Sequence, residues 1–169
     1  VDVTSGDAGD VMIAIPLTYW RFERTGDRLR IYITDKAMAG YEAYAHSRDG
    51  VVQDIQLYVG AYKGSVQDGK LRSLPDVMST GSATIGKFRD YAEANGEGYG
   101  QNNWATMTLM QIFTVLLTKS TDSQSALGRG YVDGNDDYIK NGGTTKKGLF
   151  YGESTGKKQM KFLGIEDFW

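Results

Sequence analysis

The sequence predicts a single α+β domain, and three features of the 169-residue chain support this. Apolar and polar residues alternate in the first half, which is typical of strands because successive side chains point to opposite faces. In two segments in the middle of the chain, apolar residues recur at helical spacing. A long glycine-rich region then separates these helices from an apolar C-terminal stretch, so strands, two helices, a loop region and a final strand follow one another.

The first half predicts several strands. The run at 11–17 (VMIAIPL) is apolar, and 18–34 alternates around a turn at Thr25-Gly26-Asp27, which predicts a hairpin. One hairpin face is apolar and the other charged, as expected for an antiparallel pair packed against a core. The remaining assignments are a loop at 35–50, a strand at 54–62 and a strand pair at 66–74 around Asp68-Gly69.

Two helices are expected next. The first covers 83–95 and ends at Gly96, because glycine tolerates the left-handed conformation. The second covers 103–119, capped by Asn102 or Asn103, and is too short to span a bilayer, which takes about 20 apolar residues. We interpret it as the core helix around which the domain is built. Its predicted buried stripe is Trp104, Met107, Met110, Phe113 and Leu117, widened by Leu109, Ile112 and Leu116.

The C-terminal stretch 160–169 (MKFLGIEDFW) predicts one strand of the main sheet, with its aromatic end near the central helix. The net charge of −2, without a basic run, argues against a nucleic-acid partner. The absence of cysteine excludes disulfides and thiol catalysis. No apolar run is long enough for membrane insertion.

Residues with catalytic chemistry are few. His46 is the only histidine, and no nucleophile or orienting carboxylate lies close to it in sequence, so we expect a structural or solvent-exposed histidine. A carboxylate pair for glycoside hydrolysis could be drawn from 21 acids, but no spacing singles one out. We therefore expect no enzyme activity.

A calcium loop is the one metal motif to consider. Asp133, Asn135 and Asp137 alternate as oxygen ligands do in such loops. Tyr138, however, stands where the loop needs glycine, and Thr144 stands where it needs glutamate. We expect no cofactor, with calcium as the alternative.

The glycine-rich stretch (132–158) and its flanks are the predicted binding surface. Tyrosine offers large contact area at low entropy cost, and asparagine and glycine offer adaptable hydrogen bonding. A merely solvated loop is the alternative. The predicted ligand-binding residues are Tyr131, Asn135, Asp136, Tyr138, Lys140, Asn141 and Tyr151.

Three segments resemble bacteriophage and prophage tail or surface adhesin domains with a C-type lectin-like fold, which are related to the variable proteins of diversity-generating retroelements. The segments are FRDYAEANGEGYGQNNW at 88–104, TDSQSALGRGYVDG at 121–134 and LGIEDFW at 163–169. The last is similar to the start of that family's GIE-x-x-(F/W)-GN-x-W segment. Over 11–169, the resemblance implies a mixed, mostly antiparallel sheet, two helices and a long glycine-rich loop region that presents a ligand surface without catalysis.

The family pattern continues beyond the point where this chain stops at Trp169. We therefore expect 1–169 to be a single C-type lectin-like domain that is truncated at its C-terminal end or completed by another polypeptide. The resemblance does not extend to the formylglycine-generating enzymes of the same broad fold, because their active cysteines have no counterpart here.

The resulting hypothesis is a non-catalytic receptor- or glycan-binding adhesin domain of a phage or prophage tail fibre or tip. Its expected location is the virion tail or the bacterial cell surface. Its expected partners are a host cell-surface receptor or glycan and other chains of the same assembly, including copies of itself. A structural tail or baseplate module without its own ligand is the main alternative, and a glycan-processing hydrolase is the other.

Overall fold

A computed structural model describes residues 5–53, 56–134 and 139–168. Over these residues the chain is a mixed α+β protein, which confirms the predicted class. The described strands form five separate two-stranded sheets, β1–β6, β2–β3, β4–β5, β7–β8 and β9–β10. The strands are β1 Met12–Ile15, β2 Tyr19–Thr25, β3 Arg28–Thr34, β4 Ser47–Arg48, β5 Val51–Val52, β6 Leu57–Gly60, β7 Ser65–Gln67, β8 Lys70–Arg72, β9 Lys161–Phe162 and β10 Ile165–Glu166. The helices are α1 Ile85–Glu93, α2 Trp104–Thr118 and α3 Ser123–Ala126, with a 3-10 helix at Tyr44–His46.

The chain divides into two compact units. Unit 1 contains Val1–Ile13, Val59–Gln101 and Thr114–Trp169, and unit 2 contains Ala14–Tyr58 and Asn102–Phe113. The division falls within β1, β6 and α2. Within the described ranges, no helix combines the length and the apolarity needed to cross a membrane.

The hairpin of β2 and β3 in unit 2 confirms the sequence prediction. Tyr19 pairs with Thr34 and Thr25 pairs with Arg28, which leaves Gly26-Asp27 as a two-residue turn. The expectation that its apolar face packs against a core holds only in part. Trp20 is 1% exposed and Ile31 is half-buried, whereas three other apolar side chains on that face are open to solvent: Phe22 is 46%, Leu29 60% and Ile33 42% exposed.

The predicted loop at 35–50 also needs correction. It contains the 3-10 helix and enters a hairpin of β4 and β5 that turns at Asp49-Gly50. Both turn residues have positive φ, at 51° and 79°, which matches the right-handed twist of the strands. The strand predicted at 54–62 is shorter, since β6 is Leu57–Gly60, and Asp54 and Ile55 lie outside the described residues.

The central helix exists as predicted, but its buried face differs. Asn103 caps α2, because its side-chain oxygen accepts a hydrogen bond from the Thr106 backbone N–H at 3.0 Å. In the unit 2 segment of α2, the residues below 9% exposure are Ala105, Thr106, Leu109, Met110 and Ile112. The predicted stripe is wrong at its ends, where Trp104 is 70%, Leu116 41% and Leu117 54% exposed. Apolar residues occur on nearly every side of this helix, so periodicity alone does not select one face.

In unit 1, α1 and the β7–β8 pair agree with the sequence analysis. Thr84 caps α1 by accepting a hydrogen bond from the Lys87 N–H at 3.3 Å, and Gly96 follows the helix with φ of 128°. The Asn95 amide donates to the Leu71 carbonyl of β8 at 2.8 Å. Helix α3, by contrast, is a third helix where the sequence predicted two.

The C-terminal stretch is a tight hairpin rather than one strand of a main sheet, which corrects the sequence prediction. Strands β9 and β10 pair antiparallel, and Leu163 and Gly164 make the turn with φ of 49° and 85°. Phe162 is fully buried, and its ring lies 6.0 Å from that of Phe168. Trp169 lies outside the described residues.

Candidate functional site

The predicted ligand-binding residues fall around a long loop of unit 1, which we call the lysine loop (139–158). Lys140 is exposed, Tyr131 and Tyr151 are half-buried, and Asn141 is buried. The other three predicted residues, Asn135, Asp136 and Tyr138, lie outside the described residues. Four of the seven predicted ligand-binding residues therefore lie within the described part of the chain.

The lysine loop is held by a buried carboxylate. Glu166, on β10, is 1% exposed. Its two oxygens accept hydrogen bonds from the Gly142 N–H at 2.7 Å, from the Thr144 N–H at 2.8 Å and from the Thr144 hydroxyl at 2.7 Å. The Gln159 amide donates a further bond at 2.7 Å. Because a buried charge is stable only when its oxygens are satisfied, this arrangement fixes the loop backbone around Glu166.

A buried cation completes this attachment. The Lys161 ammonium donates to the Thr144 carbonyl at 2.7 Å, and the residue is 7% exposed. Burial lowers the pKa of Lys161 below its usual range, and the negative charge of Glu166 opposes that shift. Thr144 is thus bonded through its N–H, its hydroxyl and its carbonyl.

Asn141 serves the same attachment. Its side chain is 1% exposed, and its amide nitrogen donates to the Lys63 carbonyl at 2.7 Å and the Leu74 carbonyl at 3.2 Å. The residue therefore joins the lysine loop to two other segments of unit 1 and offers no surface to a ligand. Gly142 follows with φ of 99°, a conformation that side-chain-bearing residues rarely adopt.

The outer surface of the lysine loop is basic, and it also exposes two apolar side chains, Leu149 at 62% and Phe150 at 45%. Lys147 places its ammonium 4.4 Å from the centre of the Tyr151 ring, within cation–π range. The Tyr151 hydroxyl donates a hydrogen bond to Glu153, which raises the pKa of Tyr151. The loop contains one acid, Glu153, and five exposed lysines: Lys140, Lys146, Lys147, Lys157 and Lys158.

The flank of this loop contains Tyr131 and the first candidate calcium ligand. The Asp133 carboxylate pairs with Arg129, and the Asp133 N–H donates to the Gly156 carbonyl at 2.7 Å. The other two candidate ligands, Asn135 and Asp137, are outside the described residues, so calcium remains the alternative stated from the sequence. The described part of the chain contains no group of three or more histidines or acids that could hold a metal ion.

His46 is a buried residue of unit 2. It is 4% exposed, and its Nε2 lies 3.2 Å from the Ile15 carbonyl oxygen. Its Nδ1 has no hydrogen-bond partner among the described residues. Burial lowers the pKa of His46, so the ring is neutral at physiological pH. Of the two placements expected from the sequence, structural or solvent-exposed, the structure shows a buried ring.

Sequence reasoning missed an aromatic row in unit 2, formed by Trp20, Tyr44 and Trp104. The ring centres of Trp20 and Tyr44 are 5.2 Å apart, and those of Tyr44 and Trp104 are 6.2 Å apart. Exposure increases along the row from 1% through 46% to 70%. Helical spacing assigned Trp104 to the core. Trp104 directly follows the capping residue Asn103, however, and this position indicates a helix end.

Comparisons of this sequence and structure with protein-family models, curated proteins and solved structures give no match.

Proposed function

We propose that this chain is a non-catalytic receptor- or glycan-binding adhesin domain of a phage or prophage tail fibre or tip. The observation that supports binding is the lysine loop, whose backbone is anchored to the buried Glu166 while its lysine side chains face solvent. A loop that is ordered before it binds loses little conformational entropy on association. The three segments that resemble phage adhesins support the tail assignment and the C-type lectin-like fold.

The charge of the loop indicates the kind of receptor. Five lysines and one acid in 139–158 form a basic surface on a chain whose net charge is −2. Bacterial surface polysaccharides that contain phosphate or carboxylate groups complement such a surface. Tyr151 beside Lys147 adds an aromatic contact to the charge.

A binding assay with paired variants tests this proposal. We expect Lys140→Ala/Lys147→Ala to weaken binding to immobilised lipopolysaccharide or teichoic acid by about tenfold or more, since two charged contacts are lost. Lys36→Ala/Lys70→Ala is the matched control, because it removes the same charge from exposed positions outside the loop. Equal effects of the two double variants would indicate non-specific charge attraction. If the parent binds neither polymer nor intact bacteria, the proposed function is wrong.

A structural assembly module is the second candidate, and the apolar face of the β2–β3 hairpin favours it. Phe22, Leu29 and Ile33 on this face are each more than 40% exposed. Exposed apolar patches commonly mark protein–protein contacts. Sedimentation velocity over a range of concentrations tests this candidate with Phe22→Ser/Leu29→Ser. Self-association that this variant abolishes, together with no polysaccharide binding by the parent, would favour assembly over adhesion.

A further inference from the structure

We infer that the exposed end of the aromatic row in unit 2 is a stacking site for a neutral sugar residue. The row is distinct from the lysine loop, and the inference does not depend on the ligand of that loop. Three observations support it: the exposure of two rings, the way they are supported, and the lack of charge on the helix that carries Trp104.

The first observation is exposure. Trp104 is 70% and Tyr44 46% exposed, although large aromatic side chains usually bury most of their surface. Within the Asn102–Phe113 segment, Trp104 is the one large apolar side chain among the exposed residues. Within this segment Trp104 therefore forms no contiguous apolar patch of the kind that protein-docking surfaces show.

The second observation is that the two exposed rings are held in place by neighbouring groups. Trp20 is 1% exposed and lies 5.2 Å from Tyr44, which in turn lies 6.2 Å from Trp104. The backbone of Trp104 is fixed as well, since Asn103 caps the helix directly before it. The exposed rings are therefore held in place by a buried ring and a capped helix, so that little entropy is lost when a ligand stacks on them.

The third observation is the absence of charge. Helix α2 contains no Asp, Glu, Lys or Arg along Trp104–Thr118. Thr108 and Gln111 follow Trp104 on the same side of the helix, at spacings of four and seven residues. Near the 3-10 helix of Tyr44 the exposed charged residues are Glu42, Arg48 and Asp49, so both signs occur and neither forms a cluster. An aromatic ring that is followed along an uncharged helix by a hydroxyl and an amide matches an uncharged polar ligand.

A pyranose has both properties that this surface requires. Its C–H groups form an apolar face with slight positive charge, which is attracted to the negative face of an aromatic ring. Its hydroxyl groups both donate and accept hydrogen bonds, as Thr108 and Gln111 do. A nucleobase would also stack, but single-stranded nucleic acid needs a basic groove beside the rings.

The test uses the full chain on an array of neutral hexose oligosaccharides, with sialylated and phosphorylated oligosaccharides as the comparison. We expect the parent to bind neutral oligosaccharides, and Trp104→Ala to raise their Kd by about tenfold or more, because an anchoring ring is lost. Trp104→Phe retains a smaller ring and should give an intermediate Kd. Leu117→Ala is the control, since it removes an apolar side chain of α2 that is 54% exposed at the other end of the helix. Melting temperatures of all variants establish that each is folded.

Several results would overturn this inference. The parent could bind charged oligosaccharides alone, or Trp104→Ala could bind neutral ones as well as the parent does. Loss of self-association in Trp104→Ala, with no sugar bound by the parent, would assign this surface to a protein contact instead. Lysine-loop variants that lose bacterial binding while Trp104 variants retain all binding would remove this inference and leave the proposed function standing.

Discussion

Glu166 and Thr144 are joined twice, because the backbone N–H and the hydroxyl of Thr144 both donate to the same carboxylate oxygen, at 2.8 and 2.7 Å. The other oxygen accepts from Gly142 and Gln159. One buried side chain thus fixes two segments that approach it from different parts of the sequence.

We expect Glu166→Gln to lower the free energy of unfolding by about 2–4 kcal/mol, because an amide nitrogen would replace an oxygen that faces hydrogen-bond donors. Chemical denaturation measures this change. Glu97→Gln, at an exposed position, is the control and should change stability by less than about 0.5 kcal/mol. A Glu166 variant as stable as the control would show that the carboxylate does not anchor the lysine loop.

Helix α2 provides a prediction about the core of unit 2. Leu109 is 1% exposed, so Leu109→Ala should cost about 2–5 kcal/mol through lost burial and the cavity left behind. Leu117→Ala makes the same chemical change at a position that is 54% exposed, and it should cost much less. Thermal unfolding of both variants gives the comparison, and equal losses would contradict the buried face described here.

The crossing of two backbone segments at Gly128 and Gly152 leads to a third prediction. A Cβ atom added at Gly152 would lie 1.7 Å from the Leu127 carbonyl oxygen, so the two segments must separate to admit it. We expect Gly152→Ala to destabilise the protein by about 1–3 kcal/mol or more. Gly148→Ala, in the same loop, has nothing within 4 Å of the added atom and serves as the control. Matching melting temperatures for the two variants would rule out the close approach.

His46 makes stability depend on pH. Burial lowers the folded-state pKa of His46 below its ordinary 6.5, so on acidification the unfolded chain takes up a proton at this ring before the folded chain does. The free energy of unfolding should therefore fall as the pH drops below the ordinary value, until the folded-state pKa is reached. We expect His46→Gln to remove this part of the slope, which lies below the ordinary pKa of 6.5. Parallel denaturation series for parent and variant measure the difference, and identical slopes would contradict a buried neutral ring.

Local sequence signals predicted the elements whose boundaries depend on a few adjacent residues. The Gly26-Asp27 and Asp68-Gly69 turns set their hairpins, Asn103 caps the start of α2, and Gly96 lies two residues beyond Ala94, the C-cap of α1. These features are predictable because turn and cap chemistry acts over three or four residues.

Features that depend on distant contacts were not predictable. The hairpin face with Phe22 and Leu29 has a typical core pattern, yet no pattern within the hairpin shows whether another element covers it. The C-terminal turn at Leu163-Gly164 lies within an apolar stretch, so the apolar pattern predicted one strand where the structure has two. The bonds between Glu166 and the lysine loop span more than twenty residues, a range at which spacing in the sequence carries no information.

The division of the described strands into two-stranded sheets has a consequence for local opening. An isolated two-stranded hairpin is only marginally stable in water, and neighbouring strands normally add the protection that keeps amides from exchanging with solvent. Apart from Trp20, whose N–H donates to the Glu42 carbonyl, amide hydrogens in β2–β3 should therefore exchange through local fraying. Those at Gly142 and Thr144 should exchange far more slowly, because each donates to a buried carboxylate. Well-protected amides would then lie in a loop, while the longest hairpin of the described residues would open before them.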